Sequence, residues 1–423
     1  MMTLEHRLDQ VATLKETLLR NREALIKAAI QDCAFTYRES AIEVDTVQDR
    51  LAGFPQMAET FAPRRPLAGP GQEVALILPY NGSAWLNTAI VSIYLVGNRV
   101  RVKFASRGSD IAHLTEKLYR PIFGDDIVFD YSNGKDFMQR VFEDPAIAAV
   151  CMFGSDRHAL MYEEAARSHR KKFVFEGPGK DPFMVLEDAD LEAAAQELAF
   201  AKYIYAGQTC TAPERIYVHE GVYDDFVDLF VDLSRKVRRG DLADPATEMG
   251  PVISQEARRA IKSQLKDAVD KGARILLGGD IKGNFVPPTV VVDVTQDMQG
   301  MQDETFGPVA FLAKFSTTEE VIRLARDNRY GLRATIYGQA EAETVYQALI
   351  GEPYCHPVES MRFGVFGTIS VNQPRSESWV GAFVSKPVGG YGYSGWIWET
   401  AGENFILKQG PKLLSLETSF LPE

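Results

Sequence analysis

Cysteine is scarce in this chain: Cys33, Cys151, Cys210 and Cys355 are the four among 423 residues, and none pairs at CxxC spacing. That excludes a disulfide framework and a cysteine zinc cluster, and it points to a reducing, cytoplasmic setting. His356 beside Cys355 has no further ligands clustered with it, so no metal is expected. Long apolar runs are missing too. No stretch reaches the roughly 18 consecutive apolar residues that a membrane helix needs. The opening Met1-Met2-Thr3-Leu4-Glu5-His6-Arg7 has no cationic segment leading into an apolar core, so no signal peptide is expected. Positive charge is not in excess: the net charge is -12, which argues against general nucleic-acid binding and serves solubility instead. No GxGxxG fingerprint occurs, so a dinucleotide site cannot be argued from that motif. Short repeats and low-complexity tracts are absent as well.

What is present is ordinary globular material, 45% apolar and 25% charged, at a length that suggests roughly two or three domains. Leu8, Val11, Leu14, Leu18, Leu19, Leu25, Ile26 and Ile30 recur at helical spacing with charges between them, which predicts an amphipathic helix over about residues 5–30. Pro63, Pro66, Gly69, Pro70 and Gly71 then break the chain. Val74–Leu78 reads as a buried strand, residues 86–96 as a helix and Arg99–Lys103 as a second strand, a βαβ unit and hence a parallel sheet. Val128–Asp130 and Ala148–Met152 extend it, in the layout of a doubly wound nucleotide-binding domain. The alternation resumes with strand Arg215–Val218, helices over 221–238 and 254–271, and strand Arg274–Leu277.

The residues that can carry chemistry centre on Cys210 in Gly207-Gln208-Thr209-Cys210. Glu176 lies upstream in Phe175-Glu176-Gly177-Pro178-Gly179-Lys180, and Glu304 downstream in Glu304-Thr305-Phe306-Gly307-Pro308. A thiolate attacks an aldehyde carbon readily, a carboxylate within reach can take a proton from water, and an amide such as Asn81 can hold a developing oxyanion. Cys33, Cys151 and Cys355 read as structural.

These pieces, together with Pro79-Tyr80-Asn81, Lys103, Gly154-Ser155, Asn328 before Tyr330-Gly331-Leu332, and Pro387-Val388-Gly389-Gly390 leading to Ser394-Gly395 and Glu399, occur in one order. In that order the chain resembles the NAD(P)-dependent, hydrolytic aldehyde dehydrogenase superfamily over about residues 1–410. The resemblance implies an α/β fold with two doubly wound Rossmann-like domains and a small C-terminal oligomerisation strand. A dinucleotide-binding domain would span 1–177 with a return segment at about 386–408, a catalytic domain 178–385, and an oligomerisation tail 409–423, giving a homodimer or homotetramer. It implies Cys210 as nucleophile, Glu176 as base for hydrolysis of a thioester, and Asn81 as oxyanion donor with the Cys210 amide. Relatives that pass the acyl group to coenzyme A usually lack the carboxylate at Glu176. Coenzyme A acylation and a non-catalytic module on the same fold stand as alternatives.

The same resemblance assigns cofactor contacts to Tyr80, Lys103, Gly134, Gly154, Ser155, Glu304 and Phe306. Ser106, three residues after Lys103, and Arg107 leave NAD possible and tilt toward NADP, because no carboxylate stands there to repel a 2′-phosphate. Asp156 and Ala159 depart from the family's usual residues beside the phosphate turn, and Gly82-Ser83-Ala84 depart after Asn81. Trp85, Tyr205, Trp379 and Phe383 match regions that line the aldehyde tunnel in relatives, which suits an apolar or aromatic aldehyde. Arg375 reads either as a contact for a carboxylated substrate or, more simply, as a surface-loop arginine.

Overall fold

A computed structural model describes residues 3–61, 72–81, 87–350, 366–375 and 389–410. Among them two seven-stranded sheets organise the molecule. The first contains β1 (Glu73–Leu78), β2 (Arg99–Phe104), β3 (Ile127–Phe129), β4 (Ile147–Phe153) and β5 (Lys172–Glu176). The second contains β6 (Asp181–Val185), β7 (Pro213–His219), β8 (Arg274–Leu277), β9 (Thr289–Val292) and β10 (Val309–Phe315). After the short β11 (Tyr330–Gly331), the strands β12 (Arg333–Tyr337) and β13 (Thr368–Val371) complete the second sheet. β14 (Tyr391–Gly392) pairs antiparallel with β11. The chain then returns to the first sheet as β15 (Gly395–Ala401), antiparallel to β5, and β16 (Asn404–Gln409), antiparallel to β15 at the sheet's edge.

The order in the first sheet is β16-β15-β5-β4-β1-β2-β3, with β3 through β5 parallel. β1 is apolar or buried along its length, as a parallel strand covered on both faces must be. The strand order reverses between β1 and β4, the kind of switch point where open α/β sheets leave a crevice at their carboxyl ends. The second sheet runs β13-β12-β6-β7-β10-β9-β8 and is parallel except for the antiparallel edge strand β8.

The expected N-terminal helix is two helices, Leu4–Arg20 and Arg22–Cys33. The break falls at Asn21, whose side-chain amide bonds back to the Thr17 carbonyl at 2.8 Å and competes with the helix. Val11, Leu14, Leu18, Leu25 and Ile26 are buried as expected, but Leu19 is 57% exposed because it lies off that face. A third helix, Tyr37–Phe61, was not anticipated. Its signal is legible in retrospect: Val44, Val47, Leu51, Phe54 and Ala58 alternate steps of three and four and are all buried.

Candidate active site

β5 and β6 belong to different sheets, yet only Gly177-Pro178-Gly179-Lys180 separates them. The carboxyl end of one sheet is thereby brought against the amino end of the other. Ser394 pins this crossing: its hydroxyl donates to the Pro178 carbonyl at 2.6 Å and accepts from the Gly331 amide at 3.1 Å, while its own carbonyl accepts from the Gly177 amide at 3.1 Å. Gly179 is required by close approach. A Cβ there would stand 2.1 Å from the Cys210 carbonyl oxygen.

Cys210 sits just before β7, on the loop that follows the helix Leu191–Tyr203. Three consecutive residues of that loop are left-handed: Tyr205, Ala206 and Gly207 have φ of 55°, 52° and 70°. For the first two this is strained by roughly 1–3 kcal/mol each and persists only where the surroundings over-determine it. The surroundings do so here. The buried Glu39 carboxylate, from the helix Tyr37–Phe61, accepts from the Tyr205 amide. Gln208 donates to the Tyr205 and Pro251 carbonyls at 3.0 and 3.3 Å and accepts from the Ile253 amide at 2.9 Å. Asn81, beyond the end of β1, donates to the Gln208 carbonyl at 3.0 Å. On the far side Arg375 donates to the Thr211 carbonyl at 2.6 Å, to the Thr211 hydroxyl, and to the Thr209 hydroxyl at 3.4 Å.

The outcome is that Cys210 Sγ points at Glu176 Oε1 from 3.7 Å. Cys210 keeps partial exposure, while Cys33 and Cys151 are fully buried; Cys355 lies outside the described residues. Among the described residues the Cys210 amide makes no hydrogen bond. Burial, then the charges of Glu176, Asp181 and Glu304, push the thiol well above its ordinary pKa, and Arg375 pulls the other way.

Glu304 is tied to the same centre. Its Oε1 accepts from the Gly179 amide at 3.3 Å, and burial followed by repulsion from Glu214 pushes its carboxyl well above the ordinary range. Glu214 is a residue the sequence reading missed. It accepts from the Thr305 and Phe306 amides at 2.8 and 2.9 Å and pairs with Lys180 at 2.8 Å. Lys202 stands 3.8 Å from its other oxygen. Burial alone would raise the Glu214 carboxyl, but the two lysines outweigh it and hold it low. Burial in turn brings Lys202 down to about 8. This ion cluster positions the Glu304–Phe306 segment, in which Phe306 is itself left-handed at φ 51°. Phe306 meets Tyr80 edge-on at 6.4 Å between ring centroids.

The other expected cofactor residues follow or lie near the carboxyl ends of strands β2, β3 and β4 of the first sheet. Lys103 is at the end of β2, buried, and donates to the Ser132 carbonyl; burial lowers its pKa. Ser106 and Arg107 follow it on an exposed turn. Gly134 opens the helix Gly134–Glu143 behind its cap Asn133. Gly154 and Ser155 follow β4, and a Cβ on Gly154 would touch only the flexible Met152 side chain at 3.4 Å, so the backbone is open to close approach. Asp156 carries a structural contact: it accepts from the Tyr330 hydroxyl at 3.0 Å. A lysine, an exposed arginine and an accessible glycine turn at a switch point fit a nicotinamide dinucleotide. The expected tunnel residues come together less clearly. Tyr205 is buried against Phe35 at 4.6 Å, while Trp85, Trp379 and Phe383 lie outside the described residues. Arg375, read more simply as a surface arginine, is 3% exposed. The local Asn-Gln-Pro context signals a loop, and only the tertiary fold covers it.

Comparison with known proteins gives the family and the fold. The sequence profile of the aldehyde dehydrogenase family matches residues 1–406. A succinate semialdehyde dehydrogenase [NAD(P)+] of Escherichia coli is 33% identical over 275 residues, spanning 64% of this chain and 60% of that protein. A succinate-semialdehyde dehydrogenase [NADP(+)] of Mycobacterium avium is 31% identical over 348 residues, spanning 80% of this chain and 73% of that protein. The crystal structure of a succinic semialdehyde dehydrogenase from Streptococcus pyogenes, in complex with NADP+, superimposes with a TM-score of 0.83 at 26% identity, covering 98% of this chain and 88% of that one. Among the described residues no helix is long and apolar enough to cross a membrane, and no group of histidine, cysteine and carboxylate side chains could hold a metal ion. Two doubly wound sheets meeting at a cysteine and a glutamate, and a family profile that runs through nearly the whole chain, lead to one assignment: this chain belongs to the aldehyde dehydrogenase family.

Proposed function

We propose that the protein oxidises an aldehyde to the free carboxylic acid with NADP or NAD, using Cys210 as nucleophile and Glu176 as the base for hydrolysis. The observation that carries this is the 3.7 Å approach of the Cys210 thiol to the Glu176 carboxylate at the facing ends of the two sheets. Sγ attacks the aldehyde carbon as the thiolate, its proton passing to solvent; burial and then the neighbouring acidic groups keep the resting thiol neutral, and Glu176 is left to act in the second step. The oxygen that becomes anionic is then met by the Cys210 amide, with the Asn81 side chain within the same loop contact. A nicotinamide cofactor, held by Tyr80, Lys103, Ser106, Gly134, Gly154, Ser155, Glu304 and Phe306, supplies the hydride acceptor when bound. Glu176 next takes a proton from the water that attacks the acyl group on Cys210, and the acid leaves as the thiol is restored.

Support for NADP comes from Arg107 on the exposed turn after Lys103 and from relatives named as NADP-dependent. The relatives named for succinate semialdehyde make that compound the first substrate to test. We read residues 1–177 with about 386–408 as the cofactor domain, 178–385 as the catalytic domain and 409–423 as an oligomerisation tail of a cytoplasmic homodimer or homotetramer. Of that tail, residues 411–423 lie outside the described residues. The test is NAD(P)H formation across an aldehyde panel, with Cys210→Ala as control. Turnover that persists undiminished in that variant overturns the mechanism, and product that forms only when coenzyme A is supplied favours acylation instead.

A further inference from the structure

Arg375 stands apart from the residues used above. It is nearly fully buried at 3% exposure, and its guanidinium is spent on the two residues that flank the nucleophile. One arm donates to the Thr211 carbonyl at 2.6 Å; the other reaches the hydroxyls of Thr211 and of Thr209, the latter at 3.4 Å. Its own backbone amide donates to Glu197 on the helix Leu191–Tyr203 at 2.8 Å, which anchors the arginine to the element leading into the Cys210 loop. Behind it, Asp181 of β6 and Arg333 of β12 complete a charged cluster, Asp181 accepting from the Arg333 amide at 3.1 Å. The space among Asp181, Glu197, Thr211, Arg333 and Arg375 has no volume for a water molecule, so these charges act on each other and on the loop without solvent between them.

Resting on the reading of Cys210 as nucleophile, we propose that Arg375 is a positioning residue: gripping both neighbours of Cys210, it aims Sγ at Glu176 and keeps a positive charge behind a thiol otherwise ringed by carboxylates. The geometry uses what only arginine offers, a planar fork that can bond two separate acceptors at once; a lysine is a single point charge on a flexible stem. The charges facing the thiol balance poorly without it. Burial first, then Glu176, Asp181 and Glu304, oppose thiolate formation, and Arg375 is the cation that favours it, while its own pKa is brought down to about 10 by burial and then by Arg333.

The experiment follows the thiol directly. Alkylation of Cys210 by iodoacetamide is measured against pH in the wild type, Arg375→Gln, Arg375→Lys and Thr211→Val, with thermal melts as a folding control. Steady-state kinetics with succinate semialdehyde and with neutral propanal accompany it. Loss of the charge in Arg375→Gln is expected to move the alkylation midpoint up by about one pH unit, a tenfold slower reaction at a fixed pH below it. It is also expected to lower kcat for both aldehydes by about ten- to a hundredfold, with KM within about threefold, since orientation rather than substrate binding is lost. Arg375→Lys is expected to recover most of the midpoint and little of kcat. Thr211→Val, which keeps the charge, is expected to leave the midpoint and lower kcat. An unchanged midpoint and kcat in a folded Arg375→Gln overturns the proposal. So does a rise in KM for succinate semialdehyde alone, which would make Arg375 a substrate contact. If Arg375→Gln does not fold, the contrast between Arg375→Lys and Thr211→Val decides, and equal behaviour of the two overturns it. Failure of the functional reading is separate: it is turnover in Cys210→Ala, whatever Arg375 does.

Discussion

The Cys210 thiol is pushed up rather than down in pKa, by burial first and then by the acidic side chains Glu176, Asp181 and Glu304. A thiol in that setting is a guarded nucleophile, neutral until a base takes its proton. Alkylation of Cys210 in the ligand-free protein is therefore expected to be slow at pH 7 and to climb through pH 9, since the thiolate is the reactive form. It is still expected to exceed that of Cys33 and Cys151, which are fully buried. Tryptic mass mapping over that pH range checks both points, and faster labelling of either buried cysteine contradicts the site. The base has its own signature. Glu176→Gln keeps the shape and a hydrogen bond but cannot take a proton, and general-base loss costs about 10²–10⁴-fold in rate. The variant is expected to give a burst of NAD(P)H close to one per active Cys210, then slow turnover, with an acyl adduct visible by intact mass. Turnover like the parent, with neither burst nor adduct, removes Glu176 from that role.

Among the elements, the loop before β7 depends on support brought from far along the chain. Gly207, at φ 70°, packs so closely that a Cβ would stand 2.3 Å from the Gly307 carbonyl oxygen. Gly207→Ala meets both a left-handed backbone and a clash with a backbone atom, which has no rotamer to yield. A melting temperature lowered by several degrees, with activity reduced well over tenfold, is the expected result, in line with about 1–3 kcal/mol for local strain alone. Glu214 supports the facing Glu304–Phe306 segment in the same way. Glu214→Gln leaves Lys180 and Lys202 buried without their counter-charge, and breaking one side of a buried pair typically costs about 3–5 kcal/mol. Chemical denaturation of the variant checks this; a change under about 1 kcal/mol would mean that the cluster relaxes on its own.

For the molecule as a whole, Glu39 joins the N-terminal helices to the catalytic loop across 166 residues of chain. Burial raises its carboxyl from 4.5 to about 7, and the bonds from Thr36 and Tyr205 only partly offset that. A carboxyl whose folded-state pKa is raised adds stability that is complete below the unfolded value near 4.5 and is lost as pH rises toward about 7. The difference is at most about 3 kcal/mol, taking 1.36 kcal/mol per pH unit. Glu39→Gln is expected to flatten the stability–pH curve over that window. Urea titrations of both proteins between pH 5 and 8 measure it, and parallel curves would remove Glu39 as the source.

By itself the sequence determined the alternation of strands and helices, the order of Asn81, Glu176, Cys210 and Glu304, and the absence of the usual glycine fingerprint. These are local patterns, readable because strand burial and turn chemistry are set by near neighbours. It also held a signal that went unread, the three-and-four spacing in Tyr37–Phe61. Tertiary structure alone decided which groups surround the thiol. Glu39, Glu214 and Arg375 look like ordinary surface charges in sequence, and Asp156 like a misfit beside a phosphate turn. Each becomes a positioning or packing group only when chain segments tens to more than a hundred residues apart close on one point. There, burial turns an unremarkable charge into a constraint, because a buried charge must be paired.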